Sequence, residues 1–530
     1  MNAEPSRRQR ALKDVLDGLI DVPADVVISD LTQDSRAVRP GAAFLACRGR
    51  AHHGLEYAPA AAAAGARAIL WEPAPGIAAP PVDDSILVRA VPDLSAQLGP
   101  IADRFFDAPS ASLTVAGITG TNGKTTCAWV LAQALNLIGR PAACIGTLGA
   151  GVPGPSGLDA VAAGLAGPAA PSAVAPTTAA LTTPDAIQLQ RLLYTLRARS
   201  FTAVAMEVSS HALDQERCAG TRFHTALFTN LTRDHLDYHG DMAAYGATKA
   251  RLFDWPSLVV RVINVDDPFG RTLAQHCLAR PVRTRLVLTS RASRDWLPGG
   301  ADYVHATAVE SQDAGLTLQI DSSFGTARLT SALIGEFNAD NLLSVLAVLL
   351  GWNVPLEAAC AALARCVGPP GRMQPLGGGS LPLVLVDYAH TPDALAKALA
   401  AARRHCRARL YCVFGCGGER DVGKREPMGR IAALGADEIV ITDDNPRHED
   451  PERIAQAIMQ GAAAVDAAGR TRILHDRAAA IDWALARARA GDVVLVAGKG
   501  HEAWQLVGDE RRAFSDAAMA RSALHARGAA

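Results

Sequence analysis

Gly120-Thr121-Asn122-Gly123-Lys124-Thr125-Thr126 stands between an apolar run, residues 113–118, and a helix-like run, residues 127–138. That order predicts a strand, a glycine turn and a helix N-terminus, which together aim backbone N–H groups and a positive dipole end at one point. Such a point suits a nucleotide polyphosphate. Lys124 is placed to pair with the outer phosphates, and Thr125 has the position of the Mg²⁺-binding hydroxyl of P-loop proteins. Gly120 and Gly123 let the backbone approach an anion with no Cβ in the way. The position five before Gly123 is Ile118, so the match is to GxxGKT and not to the full Walker spacing. The plain alternative is a glycine turn entering a helix. The flanking strand and helix favour an ATP or GTP site.

Working outward, residues 201–206, 225–228 and 258–265 read as buried strands with helical stretches between them, the pattern of a parallel sheet covered on both faces. Residues 149–176, rich in Gly, Ala and Pro, read as a mobile insertion and not as an element. Upstream, residues 1–110 read as a small α/β unit with short apolar runs at 26–28, 43–46, 68–71 and 86–88 and an Ala-rich helix at 57–64. Its adjacent His52 and His53 read as solvated loop side chains, not as ligands. Downstream, after an apolar helix at 341–350, the composition turns to Pro and Gly over 354–370. Strands at 383–386, 410–414, 438–442 and 493–497 then alternate with helices at 393–406 and 454–464. That predicts a second doubly wound, Rossmann-like unit. No GxGxxG follows its first strand, which argues against a dinucleotide cofactor. The expected protein is therefore α/β with three domains, at 1–110, 111–365 and 366–530.

Length agrees with that count, since 530 residues exceed one ordinary core and about 150 residues per domain implies three or four. A net charge of −1 gives no global field for nucleic acid or an anionic membrane, so small molecules are the expected partners. No apolar run reaches the roughly 18 residues of a spanning helix, and residues 1–10 lack a signal-peptide core; a cytoplasmic protein is expected. The ten cysteines are scattered, and the closest, Cys412 and Cys416, do not make a zinc pattern. Free buried thiols are expected.

Several polar constellations follow strand ends, where ligands of such sheets gather. Glu207, opening Glu207-Val208-Ser209-Ser210-His211, could hold Mg²⁺ or could be a buried carboxylate paired with an arginine. Residues 230–239 bring Asp234, His235, Asp237 and His239 to the same rim. Lys249 lies in a helix-like segment and, on pattern alone, is a solvated charge. Asp387 and His390 link a strand to a helix with Thr391 as cap and Pro392 in the first turn. Arg420 and Arg447 both come off strand ends, and an Arg fork grips a carboxylate in two places. Residues 498–502, after the last strand, add a flexible turn with a cation, Lys499, and a carboxylate, Glu502. Such mixed charge suits a zwitterionic amino acid, with surface ion pairs as the alternative.

With these residues laid out, the chain resembles the Mur ligase family of peptidoglycan synthesis over nearly its whole length. The resemblance rests on GTNGKTT at 120–126, TTPD at 182–185, EVSSH at 207–211, TNLTRDHLDYH at 229–239, DYAHTPD at 387–393, FGCGGERD at 414–421, DDNPR at 443–447 and GKGHE at 498–502. It implies a UDP-binding N-terminal domain, a central P-loop ATPase and a C-terminal Rossmann-like domain. It also implies ATP-driven peptide-bond formation through an acyl phosphate, with Mg²⁺, in a monomer.

Carried over at matching positions, the resemblance puts ATP on Gly120, Thr121, Asn122, Gly123, Lys124, Thr125, Thr126, Asn338, Arg372, Asp387 and His390. It puts Mg²⁺ on Thr125, Glu207, His235 and a carbamylated Lys249, with Lys124, Glu207, His235 and Lys249 as the catalytic set. The UDP-N-acetylmuramoyl dipeptide falls to Ser35, Thr182, Thr183, Ser209, Gln215 and Arg217. The incoming amino acid falls to Arg420, Asp444, Asn445, Pro446, Arg447, Gly498 and Glu502. In this family DNPR accompanies meso-diaminopimelate, whereas lysine-adding members lack that arginine. Gln33 and the 49–54 loop depart from the family pattern. An L-lysine-adding enzyme and, in a different class, a P-loop ATPase switch are the competing readings.

Overall fold

Thr114–Thr119 runs through an eleven-stranded sheet of the computed structural model, which describes residues 8–49, 52–154, 157–160, 181–280, 284–292, 300–312, 315–465 and 468–528. Among the described residues the spatial order is Gly157–Ala160, Gly149–Gly154, Ala142–Gly146, Ala203–Glu207, Thr114–Thr119, Thr225–Phe228, Val260–Asn264, Arg285–Ser290, Asp302–Gln312, Gly315–Ser322 and Gly325–Ser331. The seven middle strands are parallel, and antiparallel strands close both ends. Every residue of Ala203–Glu207, Thr225–Phe228 and Val260–Asn264 is buried, as expected where both faces are covered. Alternate side chains feed opposite cores. Ala116 and Ile118 pack with the helices Lys124–Leu137 and Phe337–Gly351, whereas Val115 and Met206 pack with Ala186–Ala198. Phe337–Gly351 is buried almost all round, which makes it a core helix and not a surface one.

A four-stranded parallel sheet precedes this unit, in the order Asp30–Thr32, Ala42–Ala46, Ala68–Trp71, Leu87–Ala90. A six-stranded sheet follows it: Gln374–Gly377, Leu383–Asp387, Val493–Ala497, Leu410–Phe414, Glu438–Ile441, Thr471–Ile473. All but the first of these strands are parallel. The three-part α/β architecture expected from the sequence is thus present. Thr391 caps the helix Pro392–Arg404 by accepting from the Ala394 amide, as the motif suggests. All ten cysteines are free, eight of them buried.

Two expectations need correction, at 149–176 and at His53, and two further stretches hold elements that the sequence did not mark. Part of the 149–176 stretch is regular structure, because Gly149–Gly154 pairs with Ala142–Gly146 and with Gly157–Ala160; residues 161–180 lie outside the described residues. Strand edges satisfy backbone groups whatever the side chains, so a Gly/Ala/Pro composition does not exclude pairing. The Pro/Gly window at 354–370 contains the helix Leu356–Ala364, which starts directly after Pro355 in a run of strong helix formers. Asp302–Gln312, Gly315–Ser322 and Gly325–Ser331 form an antiparallel run in which polar residues alternate with apolar ones, exposed mainly on Gly325–Ser331, so no continuous apolar run marks it. His53 is not solvated: its Nδ1 accepts from the Leu55 amide and its Nε2 meets the Glu72 carbonyl at 2.9 Å, so it caps a short helix.

The outer units attach differently. On the N-terminal side Arg191 reaches Asp30 at 2.7 Å and the Leu31 carbonyl at 2.9 Å, and the helix Leu94–Phe105 presses backbone to backbone on residues 219–220. A Cβ at Gly99 would stand 2.0 Å from the Ala219 carbonyl oxygen. On the C-terminal side Arg404 pairs with Glu336, at the entry of the buried helix. We expect Gly99→Ala to destabilise the protein by about 1–3 kcal/mol, since neither backbone can retreat without moving its helix or turn. A lowered thermal midpoint checks this; an unchanged midpoint would show that the contact yields freely.

Candidate active site

The loop between Thr114–Thr119 and Lys124–Leu137 is held from outside by residues 229–232. Asn122 N donates to Asn230 Oδ1 at 3.0 Å, Thr229 Oγ1 donates to the Asn122 carbonyl at 2.6 Å, and Thr121 N donates to the Asn230 carbonyl at 2.8 Å. Both predicted glycines are required. Gly120 and Gly123 have φ of +149° and +85°, and a Cβ on either would stand 1.9 Å from Thr229 Oγ1 or 2.3 Å from Asn341 Oδ1. Lys124 folds back on its own loop, donating to the carbonyls of Gly120 at 2.8 Å and Thr121 at 2.7 Å. Burial pulls its pKa down and Arg372, from the C-terminal unit, adds to this; Glu207 and Asp234 pull the other way.

Lys249 comes to the same place. It is 1% exposed, lies over the Tyr245 ring at 4.3 Å, and donates to the Gly120 carbonyl at 2.9 Å. Two lysine amines therefore share one acceptor. Burial, and then the Lys124 charge, hold the Lys249 pKa well below the ordinary lysine range. The solvated charge expected from its pattern is not what forms, because the helix Met242–Ala250 turns this face inward.

Glu207 ends its strand 2% exposed, and its partner is Thr147 rather than an arginine. The Thr147 amide donates to Oε1 at 2.8 Å and its hydroxyl to Oε2 at 3.3 Å. Thr125 and Glu207 line one recess with Gly146 and Gly149. Thr147 was missed in the sequence; only its position after a strand could have pointed to it. Thr182, Thr183, Ser209, Gln215 and Arg217 form a connected group beside Glu207. Thr183 Oγ1 donates to the Glu207 carbonyl at 2.9 Å, Ser209 N donates to Thr183 Oγ1 at 3.1 Å, and Thr182 Oγ1 lies 3.3 Å from Thr147 Oγ1. Arg217 Nη1 donates to the Thr183 carbonyl at 3.1 Å and its Nε to Gln215 Oε1 at 3.0 Å. Ser35 stands apart on the N-terminal unit, in the short helix Ser35–Ala37 capped by Asp34.

His235 adopts φ of +53° and packs edge-on against His211, with centroids 4.9 Å apart. His239 adds a third ring, 5.5 Å from His211, and its Nε2 meets Ser210 Oγ at 2.9 Å. Burial, then His235 and His239, lower the His211 pKa to about 4, so this imidazole stays neutral at ordinary pH. Burial also lowers His235. Among the described residues no group of three or more His, Cys, Asp or Glu side chains is arranged to hold a metal ion.

From the C-terminal unit, Arg372 lies over the Tyr388 ring at 4.4 Å. Asp387 accepts from the Met373 and Ala389 amides at 2.7 and 2.8 Å, while burial raises its pKa against the pull of Arg372. His390 Nδ1 meets the Tyr388 carbonyl at 2.8 Å. Asn338 accepts from Asn341 at 2.7 Å, which links it to the phosphate loop through the contact between Asn341 and Gly123.

A second cluster gathers at the adjacent strand ends. Lys499, 0% exposed, donates to Asn445 Oδ1 and Glu502 Oε2, each at 3.0 Å, and to Asp444 Oδ1 at 3.5 Å. The flexible cationic turn expected at 498–502 is instead a buried, saturated one, whose lysine the sequence reading noted without giving it a role. A Cβ on Gly498, at φ of +112°, would lie 3.4 Å from Asp444 Oδ2. Arg447 has φ of +54° and donates from Nη1 to the Gly418 carbonyl at 2.8 Å. Gly418 in turn packs on the Pro446 carbonyl. Arg420 is exposed on the same rim. Asp444, Asn445 and Glu502 thus gather on Lys499, with the Arg447 guanidinium on the neighbouring loop, mixed charge of a kind that a zwitterion could meet.

Three family descriptions match successive parts of the chain. They are "Mur ligase family, catalytic domain" at residues 27–105, "Mur ligase middle domain" at 118–349, and "Mur ligase, glutamate ligase domain" at 371–500. The chain is 45% identical over 519 residues, 98% of each chain, to the UDP-N-acetylmuramoyl-L-alanyl-D-glutamate--2,6-diaminopimelate ligase of Xanthomonas oryzae pv. oryzae. It is 46% identical to the ligase of the same name from Chromobacterium violaceum, over 94% of this chain and 95% of that one. A solved structure of a ligase so named superposes with a TM-score of 0.67 at 33% identity, covering 98% and 99% of the two chains. A MurF ligase from Thermotoga maritima in complex with ADP shares the fold, with a TM-score of 0.60 at 17% identity over 94% and 98% of the chains. Sequence, domain order and fold agree over the whole length: the chain belongs to the Mur ligase family.

Proposed function

We propose that this chain is an ATP-dependent, ADP-forming ligase that adds meso-diaminopimelate to UDP-N-acetylmuramoyl-L-alanyl-D-glutamate in peptidoglycan precursor synthesis. The observation that carries the reading is 45% identity across 98% of the chain to ligases of that name, with Arg447 present in the cluster around Asp444, Asn445 and Glu502. The matched spans support a division near 1–110, 111–365 and 366–530. The same reading has the enzyme working as a monomer in the cytoplasm, where both nucleotides are supplied.

In this reading the loop amides of residues 120–126 and Lys124 hold the ATP phosphates, with Asn338, Arg372, Asp387 and His390 on the rest of the nucleotide. Thr182, Thr183, Ser209, Gln215 and Arg217, with Ser35 from the N-terminal unit, hold the nucleotide-sugar peptide so that its terminal carboxylate meets the γ-phosphate. Arg420, Asp444, Asn445, Pro446, Arg447, Gly498 and Glu502 orient the incoming amine, which displaces phosphate from the acyl phosphate. The donor set suits Mg²⁺: the Thr125 hydroxyl and Glu207 share one recess, and hard oxygen ligands match that ion. With a second Mg²⁺ at His235 beside a carbamylated Lys249, the two ions would supply charge neutralisation for phosphoryl transfer.

The crowding of Lys124 and Lys249 on the Gly120 carbonyl supports the carbamate. A neutral Lys249 amine attacks carbon dioxide, forms the N–C bond and releases its proton, so a repelling cation becomes an anion beside Lys124. Its lowered pKa keeps more of the free amine than an ordinary lysine would, and that fraction grows as pH rises through the lowered value.

The decisive assay is phosphate release with ATP, Mg²⁺ and the nucleotide-sugar dipeptide, run with meso-diaminopimelate, L-lysine or no amino acid. Release with diaminopimelate alone is expected. Preference for lysine would overturn the acceptor, and release in every tube would return the ATPase switch. Lys249→Ala should lose most turnover, with partial rescue by a small carboxylic acid independent of bicarbonate. In the wild type, activation by bicarbonate should strengthen as pH rises through the lowered Lys249 value and level off above it; full activity in Lys249→Ala would remove the carbamate. Arg447→Lys keeps the charge and loses the fork, so steady-state kinetics should show the KM for diaminopimelate raised by about tenfold or more.

A further inference from the structure

We propose that Arg477 is a positioning residue for the amino-acid acceptor. It sets the spacing of the two acceptor loops from behind and so sets the affinity for the incoming zwitterion. This rests on the acceptor assignment above.

Arg477 begins the helix Arg477–Arg487, and its side chain is wholly buried. It touches none of the residues assigned to substrate. Its Nη2 donates to the Ala497 carbonyl at 2.9 Å, and Ala497 is the last residue before Gly498. Its Nη1 donates to the Asp443 carbonyl at 3.4 Å, and Asp443 is the last residue before Asp444. One planar guanidinium thus ties together the roots of the two loops that carry Asp444, Asn445, Arg447, Gly498 and Glu502. The remaining edge of the fork is filled by Asp516, whose carboxylate accepts from Nε at 2.7 Å and from Nη2 at 2.8 Å. Asp516 is itself wholly buried and opens the last helix, Asp516–Gly528.

The same two loops are joined again at their tips, by the strand Trp504–Val507. Gln505 Nε2 donates to the Asp443 carbonyl at 3.3 Å, Leu506 N to Asn445 Oδ1 at 3.0 Å, and Arg447 N to the Leu506 carbonyl at 3.2 Å. The amide of Gly508 donates to the Arg447 carbonyl at 2.8 Å. These bonds hold Arg447 in its left-handed conformation. They can do so only while the two loop roots keep their separation. A lysine at 477 could reach one of the carbonyls but not both with Asp516, because its ammonium lacks the fixed fork.

The test is a kinetic split. In Arg477→Lys the KM for meso-diaminopimelate should rise about tenfold, with the KM for ATP and for the nucleotide-sugar dipeptide changed less than about twofold. In an Arg447→Ala background the same substitution should raise that KM much less, because the residue through which it acts is gone. A general loss of turnover with all three KM values moving together, or additive effects in the double variant, would overturn the proposal. Should Arg477→Lys not fold, Asp516→Asn, which leaves the guanidinium in place without its carboxylate, is read in the same way. Wild-type enzyme that ignores diaminopimelate would defeat the acceptor assignment, whereas wild-type use of it with no split in either folded variant would defeat only the role of Arg477.

Discussion

The Gly120 carbonyl oxygen accepts from two lysine amines, and the site is arranged around that crowding. Lys124 arrives from the helix the loop opens, and Lys249 from a helix more than a hundred residues later in the chain. Two buried cations on one acceptor are tolerable only if negative charge is close or one amine is neutral. Glu207 and Asp234 supply part of that charge, and an incoming polyphosphate supplies more. Positive charge kept at Lys124 favours an incoming anion there, and fixed charge of that kind is what phosphoryl transfer depends on most.

Placement of these groups follows from the parallel sheets. Strands running one way deliver their carboxyl ends, and hence their loops, to a single rim. In the central unit that rim carries residues 120–126, Glu207 and residues 230–239; in the C-terminal unit it carries residues 387–390, 415–421, 443–447 and 498–502. Arg372 and His390 act electrostatically on or with groups of the central rim, so the two rims face each other.

Much of this was legible in the sequence because the middle strands are buried on both faces and read as continuous apolar runs, and because the strand-turn-helix around Gly120 has few other uses. The antiparallel strands from Asp302 to Ser331 were not legible, because polar residues alternate with their apolar ones, even where Thr317 and Ser322 are buried, and blend into loop composition. The site showed the same limit. Residue types at strand ends marked Glu207, Arg447 and Glu502, but burial is a tertiary property. Nothing local could show that Lys249 and Lys499 lie inside the fold, or that Thr147 holds Glu207. His53 is the reverse case, a polar pair in a loop whose second member is a buried cap.

Both outer units are tied to the central one by an ion pair, and the N-terminal unit adds a backbone contact. Leu94–Phe105 meets residues 219–220 through glycine backbones at van der Waals range, a contact indifferent to dissolved ions. The C-terminal unit is moored in part by Arg404 on Glu336, a half-exposed pair close to Arg291 and Asp340. Such pairs are worth about 0–1 kcal/mol each and are screened beyond roughly 8 Å at physiological ionic strength. Electrolyte therefore screens Arg404 on Glu336 as it screens Arg191 on Asp30, and the backbone contact at Gly99 is what the N-terminal junction keeps when both pairs are weakened.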